Sequence, residues 1–267
     1  MNILVCFIAA PDLDKLIDED WVIDKTFQID TSFLKPTLSS YDESALEITL
    51  RLSDASEKTK VSIDHKALTI AGTPATTILK TLNALRFKQV VRIDSQDDFR
   101  FRPGAIASIL GQYVLKHAPQ DVLFLGRQSS VGENARTHLL LAEMLGWPCL
   151  TQVVGIELVD ENHLMVTSQL DDSQIQQQIQ TPCVLSIGEV PNAFMRVPTI
   201  KDRMLYGKRP IEILSTTDFQ LPDETEELID LNVISHERRG VSIHGETPRQ
   251  KAIELYEAHL KERLEKI

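Results

Sequence analysis

Apolar and polar positions follow two alternating periods through the first half of the chain. Short apolar runs, "NILVCFI" from Asn2, "KALTIAG" from Lys66, "QVVRID" from Gln89 and "DVLFLG" from Asp121, are separated by stretches with apolar residues at helical spacing. In the first stretch Ser40-x-x-Glu43 has the form of a capping box, and Ala45, Ile48 and Leu52 recur on one side, predicting a helix from Asp42 to Ser53. Thr73 and Pro74 start a second helix with Ile78, Leu79, Leu82 and Leu85 as its buried stripe, and Pro103 opens a third. A fourth carries Ala135, Leu139, Ala142 and Leu145 on one face, Gly146 as its left-handed stop and Pro148 beyond. Strands alternating with helices predict a parallel sheet covered by helices.

Past Thr151 the period changes. "QVVGIEL", a turn at Asp160 to Asn162, "LMVTSQ", a turn at Asp171 to Ser173, "QIQQQIQ" and the buried run "CVLSI" read as hairpins, predicting antiparallel strands that extend the sheet at one edge. From Arg196 the chain is poor in strand and core signals: a basic stretch (Lys201, Arg203, Lys208, Arg209), an acidic one (Asp223, Glu224, Glu226, Glu227) and a helix from about Thr247. Such a tail buries little of itself and is expected to wrap over something else. The expected organisation is an α/β domain over residues 1–195 and an arm with a helix over 196–267.

Composition narrows the class. The 267 residues are 42% hydrophobic, enough for a sizeable core, and carry a net charge of −11, which opposes binding to nucleic acid. "MNILVCFIAAPDLDK" reads as a buried first strand rather than a signal peptide, and no apolar run approaches the roughly 20 residues of a membrane span. Cys6, Cys149 and Cys183 are widely spaced with no CxxC, so a reducing cytoplasm and no metal site are expected. Seven histidines invite catalytic roles, but no G-x-S-x-G elbow accompanies them. His138 is placed inside the fourth helix rather than at its mouth, and no catalytic residue is assigned.

The stretch "LGRQSSVGENARTHLLLAEMLGWPC", Leu125 to Cys149, carries the candidate chemistry. Open parallel sheets bind ligands where loops converge at the carboxyl ends of strands. Gly126 and Gly132 would let backbone approach a phosphate, and the following helix offers unpaired N–H groups and a positive dipole end. Ser129, Ser130, Asn134, Arg136 and Thr137 add donors, and Arg127 with Arg136 could grip a phosphate from two sides. Taken alone, a polar surface turn accounts for the loop equally well. Neither a Walker motif nor a GxGxxG after the first strand is present.

This stretch, continued to "LTQV", resembles a segment of the electron transfer flavoprotein β subunit, in which a strand ends in a Gly-(Lys/Arg)-Gln loop and the helix closes on Leu-Gly-Trp-Pro. "YDESALEITLRL", "TPCVLSIGEV", "VPTIKDRMLYGKRPIEIL", Arg239-Gly240-Val241 and "GETPRQKAIEL" resemble further family segments, in order, over nearly the whole chain. The resemblance implies a three-layer, adenine-nucleotide-hydrolase-like (Rossmann-like) α/β fold. It also implies a heterodimer with an α subunit that holds the redox-active FAD, and AMP or a second FAD on this chain.

By position, the nucleotide contacts it implies are Cys6, Ser39, Ser40, Tyr41, Asp42, Ile70, Gly126, Arg127, Gln128, Ser129, Ser130, Val131, Gly132, Glu133, Asn134, Ala135, Arg136 and Thr137. Gly188 to Pro198 stands where the family recognises its partner dehydrogenase. Ser39-Ser40 replaces the family's Asn-Pro, and Arg86 replaces the Gly of its Met-Gly-Ala turn, which suggests a divergent branch. Two rival readings are a stand-alone nucleotide-binding protein resembling universal stress proteins, disfavoured by the long tail, and a nucleotide-dependent ligase or hydrolase. The latter lacks a Ser/Gly-rich loop after the first strand, where "FIAAPD" stands.

Overall fold

The computed structural model describes residues 1–267 apart from 60, 96, 118, 130, 133–134, 224–227, 235–239 and 265–267. The chain forms two compact units, Met1–Asp230 and Leu231–Ile267. In order, the first contains β1 (Asn2–Cys6), β2 (Ala10–Pro11), β3 (Pro36–Thr37), α1 (Ser40–Thr59), β4 (Asp64–Ile70), α2 (Thr76–Ala84), β5 (Gln89–Asp94), α3 (Pro103–Lys116) and β6 (Val122–Gly126). There follow α4 (Thr137–Leu145), β7 (Cys149–Leu158), β8 (His163–Gln169), β9 (Gln174–Gln180), β10 (Cys183–Ile187), α5 (Ile200–Tyr206) and β11 (Glu212–Ser215).

Nine strands make one sheet in the order β11-β5-β4-β1-β6-β10-β7-β8-β9, with β2 and β3 a separate antiparallel pair. The pairs from β11 to β7 are parallel, and β7-β8-β9 is the antiparallel extension. Alternation along the strands divides the core between two layers. Ile3, Val5, Val122 and Phe124 face α1 and α2, whereas Leu4, Cys6, Leu123 and Leu125 face α3 and α4. The three-layer α/β architecture expected of the chain is the one it adopts.

Several local expectations are revised. "CVLSI" does not belong to the edge extension: β10 inserts between β6 and β7, parallel to both. All five of its residues are buried, and a strand covered on both faces reads as an unbroken apolar run whether it lies at an edge or in the centre. The region after Arg196 supplies a sheet strand, β11, whose four residues are too few to show a period. The expected boundary at 195 therefore falls inside the first compact unit. Helix α1 begins earlier and is capped one residue earlier than expected: the Ser39 hydroxyl accepts the Asp42 N–H at 3.1 Å and donates to the Asp42 carboxylate at 2.8 Å.

Gly146 does end α4 in the left-handed conformation. Ala135, expected on that helix, precedes it in the loop with φ of 45°. The second unit contains α6 (Pro248–Leu255), capped by Thr247, and none of its residues is buried. No described helix is long and apolar enough to cross a membrane.

Candidate functional site

From β1 the chain moves outward through β4 to β5, then returns to the other side of β1 as β6. That reversal opens a crevice between the carboxyl ends of β1 and β6, the place where open α/β sheets take ligands. A cleft of about 320 Å³ occupies it. Its floor is Cys6, Leu68, Ile70, Leu125 and Gly126, and its sides are the loops after β1, β4, β5 and β6 with the first turn of α4.

One buried carboxylate ties these parts together. Asp42, in the first turn of α1, is 3% exposed and accepts hydrogen bonds from the Ser39 hydroxyl and from the backbone N–H groups of Ile8 and Gly126. The loop after β1 and the end of β6 are thereby fastened to one side chain. Burial pushes its pKa up to about 7, and hydrogen bonds from the Ser39 hydroxyl and from the backbone of Ile8, Gly126 and Ser39 oppose that rise. Gly126 is needed for this contact, since a Cβ there would lie 2.6 Å from Asp42 Oδ1. Gly132, with φ of +82°, is needed for another: its Cβ would lie 1.7 Å from the Arg100 carbonyl oxygen. Both glycines were expected to admit a phosphate; their close neighbours are the chain's own carboxylate and carbonyl.

The loop after β6 is shaped from within. The Arg127 N–H donates to the Ile187 carbonyl at 2.9 Å, and the Ser129 hydroxyl accepts from the Val131 N–H at 2.9 Å and donates to the Val131 carbonyl at 2.7 Å. Arg127, Gln128, Ser129, Val131, Ala135, Arg136 and Thr137 line the cleft, as do Cys6, Asp42, Ile70 and Gly126. Ser39, Ser40, Tyr41 and Gly132 are not among its described lining residues: Ser39 caps α1, Ser40 is exposed and Tyr41 half-buried. Ser130, Glu133 and Asn134 lie outside the described residues.

Three features escape a reading of the sequence. The loop after β5 contributes Ser95, Asp97, Asp98, Phe99 and Arg100 to the cleft, which the parallel-strand rule could have indicated since that loop also leaves a carboxyl end. Phe99, Ile106 and Leu110 join Leu68 and Ile70 in an apolar wall. His138 stands at the mouth of α4, not inside it, because the helix begins at Thr137. It is buried, and desolvation, with the Arg127 charge nearby, pushes it down to about 4, so it is neutral at ordinary pH. Burial and the Asp42 charge push Cys6 up to about 12, which keeps it a thiol.

The arrangement has one apolar flank and one cationic end, where Arg127, Arg136 and the N-terminus of the nine-residue α4 meet. A flat ring against the first and an anion at the second would each find complementary chemistry. Among the described residues no group of three His, Cys, Asp or Glu side chains is placed to hold a metal ion.

A second surface is built by the loop after β10. Arg196 places Nε and Nη2 on the Glu47 carboxylate at 2.8–3.2 Å and Nη1 on Asp54 at 2.7 Å. Its backbone N–H also reaches Glu47, at 3.2 Å. Pinned in this way to α1, the loop leaves Phe194 and Val197 about four-fifths exposed, next to the exposed Ile200 and Met204 of α5.

The sequence model described as "Electron transfer flavoprotein domain" matches residues 26–218. The chain is 29% identical over 267 residues, 99% of its length and all of the relative's, to the Escherichia coli (strain K12) protein named "Putative electron transfer flavoprotein subunit YgcR". It is 26% identical to the electron transfer flavoprotein subunit beta of Bacillus subtilis (strain 168), over 89% of this chain and 91% of that one. It is 24% identical to the acryloyl-CoA reductase electron transfer subunit gamma of Anaerotignum propionicum, over 95% and 91%. With a matching family model over most of its length and β subunits among its relatives, the chain belongs to the electron transfer flavoprotein family, as a member of its β-subunit branch.

Proposed function

We propose that this chain holds an adenine nucleotide, AMP or the AMP half of a second FAD, in the β1/β6 cleft. In the same reading it combines with an α subunit to form an FAD-containing electron carrier between a dehydrogenase and an acceptor. The observation that carries the proposal is the cleft itself, in a chain of this family: an apolar wall of Ile70, Phe99 and Ile106 facing a cationic end with Arg127, Arg136 and the α4 amides. The adenine lies on the wall and the phosphate at the helix mouth. Bound FAD supplies the redox chemistry, and the residues of this chain bind and orient it. Residues 188–198, held on α1 through Arg196, present Phe194 to the partner dehydrogenase. The arm, 196–267, embraces the α subunit, a reading supported by a separate C-terminal unit whose helix α6 buries none of its own residues. The complex works in the cytoplasm.

Co-expression with a candidate α subunit tests this. A yellow heterodimer that releases AMP, or more than one FAD per pair, on denaturation is the expected result. Arg127→Ala with Arg136→Ala should strip the nucleotide from this chain while the α-bound flavin stays. A colourless monomer that carries a nucleotide without any partner would overturn the electron-carrier reading in favour of a stand-alone nucleotide-binding protein.

A further inference from the structure

Two histidines are buried among the described residues, and they stand at opposite ends of the sheet. His65 is at the amino end of β4, edge-on to Phe87 with ring centroids 4.8 Å apart, away from the cleft. His138 is at the carboxyl ends of the strands, the second residue of α4, and it lines the cleft. It is 4% exposed, yet its ring makes no hydrogen bond with any described residue. Buried polar groups are almost always paired, and an imidazole always carries at least one donor. A ring of this kind, facing a cleft and without a partner in its own chain, calls for one from outside it.

Its surroundings select the partner. Desolvation, and after it the Arg127 charge, pushes the ring down to about 4, so in the empty cleft it is neutral, with one N–H to give. An anion held between Arg127 and the N-terminus of α4 stands beside that N–H, while the apolar wall of Ile70, Phe99 and Ile106 suits a flat ring instead. The charged groups that share the cleft are Asp42 from α1, Asp97, Asp98 and Arg100 from the loop after β5, and Arg127 and Arg136 before α4. α3 and β10, which pack on α4, bring no charged side chain into it among the described residues.

We propose that His138 recognises the phosphate of the bound nucleotide: its imidazole N–H donates to a phosphate oxygen, so that the chain selects a phosphorylated adenosine over adenosine itself. The inference rests on the nucleotide site proposed above and adds to it the side chain that tells one ligand from the other. A hydrogen bond to an ionised oxygen is stronger than one between neutral groups, and a ligand without the phosphate leaves a desolvated donor unpaired. Such a site rejects the lesser ligand by that penalty. A phosphate at hydrogen-bond distance also reverses the electrostatics at the ring, since an opposite charge favours the imidazolium.

The full chain, labelled at histidine and freed of nucleotide, is titrated with AMP and with adenosine while the ring signals are followed by NMR, and His138→Gln assigns the signal. AMP should move the His138 signals and raise the pKa of the ring from about 4 to above about 5. Adenosine should do neither, and His65 should stay still under both. His138→Leu, which keeps the bulk and removes the donor, should weaken AMP binding at least about tenfold, and His138→Gln, which keeps a neutral N–H, should recover most of that loss. His138 signals unmoved by bound AMP, equal losses of AMP and adenosine in His138→Leu, or no recovery in His138→Gln overturn the role of His138 and leave the nucleotide site standing. A full chain that binds neither compound overturns the site, and the role with it.

Discussion

The loops after β6 and β10 start side by side, with Gly126 opposite Ile187 in the sheet, yet they have opposite fates. The first turns inward and walls the cleft; the second is carried outward and displays Phe194 and Val197. Helix α1 decides both with two carboxylates five residues apart. Asp42 binds the inward loop through neutral donors, and burial without a cation leaves it protonated up to about pH 7. Glu47 binds the outward loop through a guanidinium, and that contact holds Arg196 above the usual guanidinium range. The cleft wall is fastened without a full negative charge, whereas the loop displayed to solvent is fastened by an ion pair.

The inward loop breaks most easily at Gly132. Alanine there needs a positive φ and space that the Arg100 carbonyl fills at 1.7 Å. Arg100 is itself tethered, its guanidinium donating to Asp98 at 2.8–3.0 Å and to the Phe27 carbonyl at 2.7 Å. Gly132→Ala should cost about 3 kcal/mol in urea denaturation, the sum of overpacking and backbone strain. Gly104→Ala in α3, where nothing lies within 4 Å, should leave stability equal or slightly higher. Equal midpoints for the two variants would remove the close approach from the account.

The outward loop breaks at Glu47. Glu47→Gln leaves Arg196 without its buried partner and should cost about 2 kcal/mol, less than a fully buried pair because the Arg196 side chain is 37% exposed and water can replace part of the contact. Hydrogen exchange should accelerate at residues 190–196 and stay unchanged at 126–129. Acceleration at both would mean that α1 holds the two loops as one unit, and the contrast between them would fall.

Much of this was legible in the chain. Periodicity fixed the parallel sheet, the antiparallel extension and the Gly146 stop, since each is a local pattern. β10 was misplaced because a five-residue apolar run carries no information about its neighbours in the sheet. The sequence marks the two glycines for approach to a phosphate, whereas the groups that stand against them are Asp42 and Arg100, 84 and 32 positions away in sequence, and no local pattern reports such contacts. Arg86 shows the converse: family resemblance placed a glycine there, and the structure holds the arginine at φ of 70°, a conformation suited to glycine.

The neutral state of the inward latch has a signature in pH. Asp42 titrates near 7 in the folded chain against an ordinary 3.8, so between these values the folded state holds the extra proton and stability falls as pH rises. His138 titrates near 4 against an ordinary 6.5, so between these values the unfolded state holds the extra proton and stability rises with pH; His65, also lowered by burial, acts in the same sense. Each one-proton difference contributes about 1.4 kcal/mol per pH unit, and the two slopes oppose each other from about pH 4 to 6.5. Asp42→Asn should expose the histidine slope, adding about 1.4 kcal/mol per pH unit to the native profile, and His138→Gln should change it by the same amount in the other direction. Urea midpoints at intervals across this window measure both. Parallel profiles for the three proteins would show that Asp42 is ionised in the fold, and the two loops would then be fastened by the same kind of carboxylate.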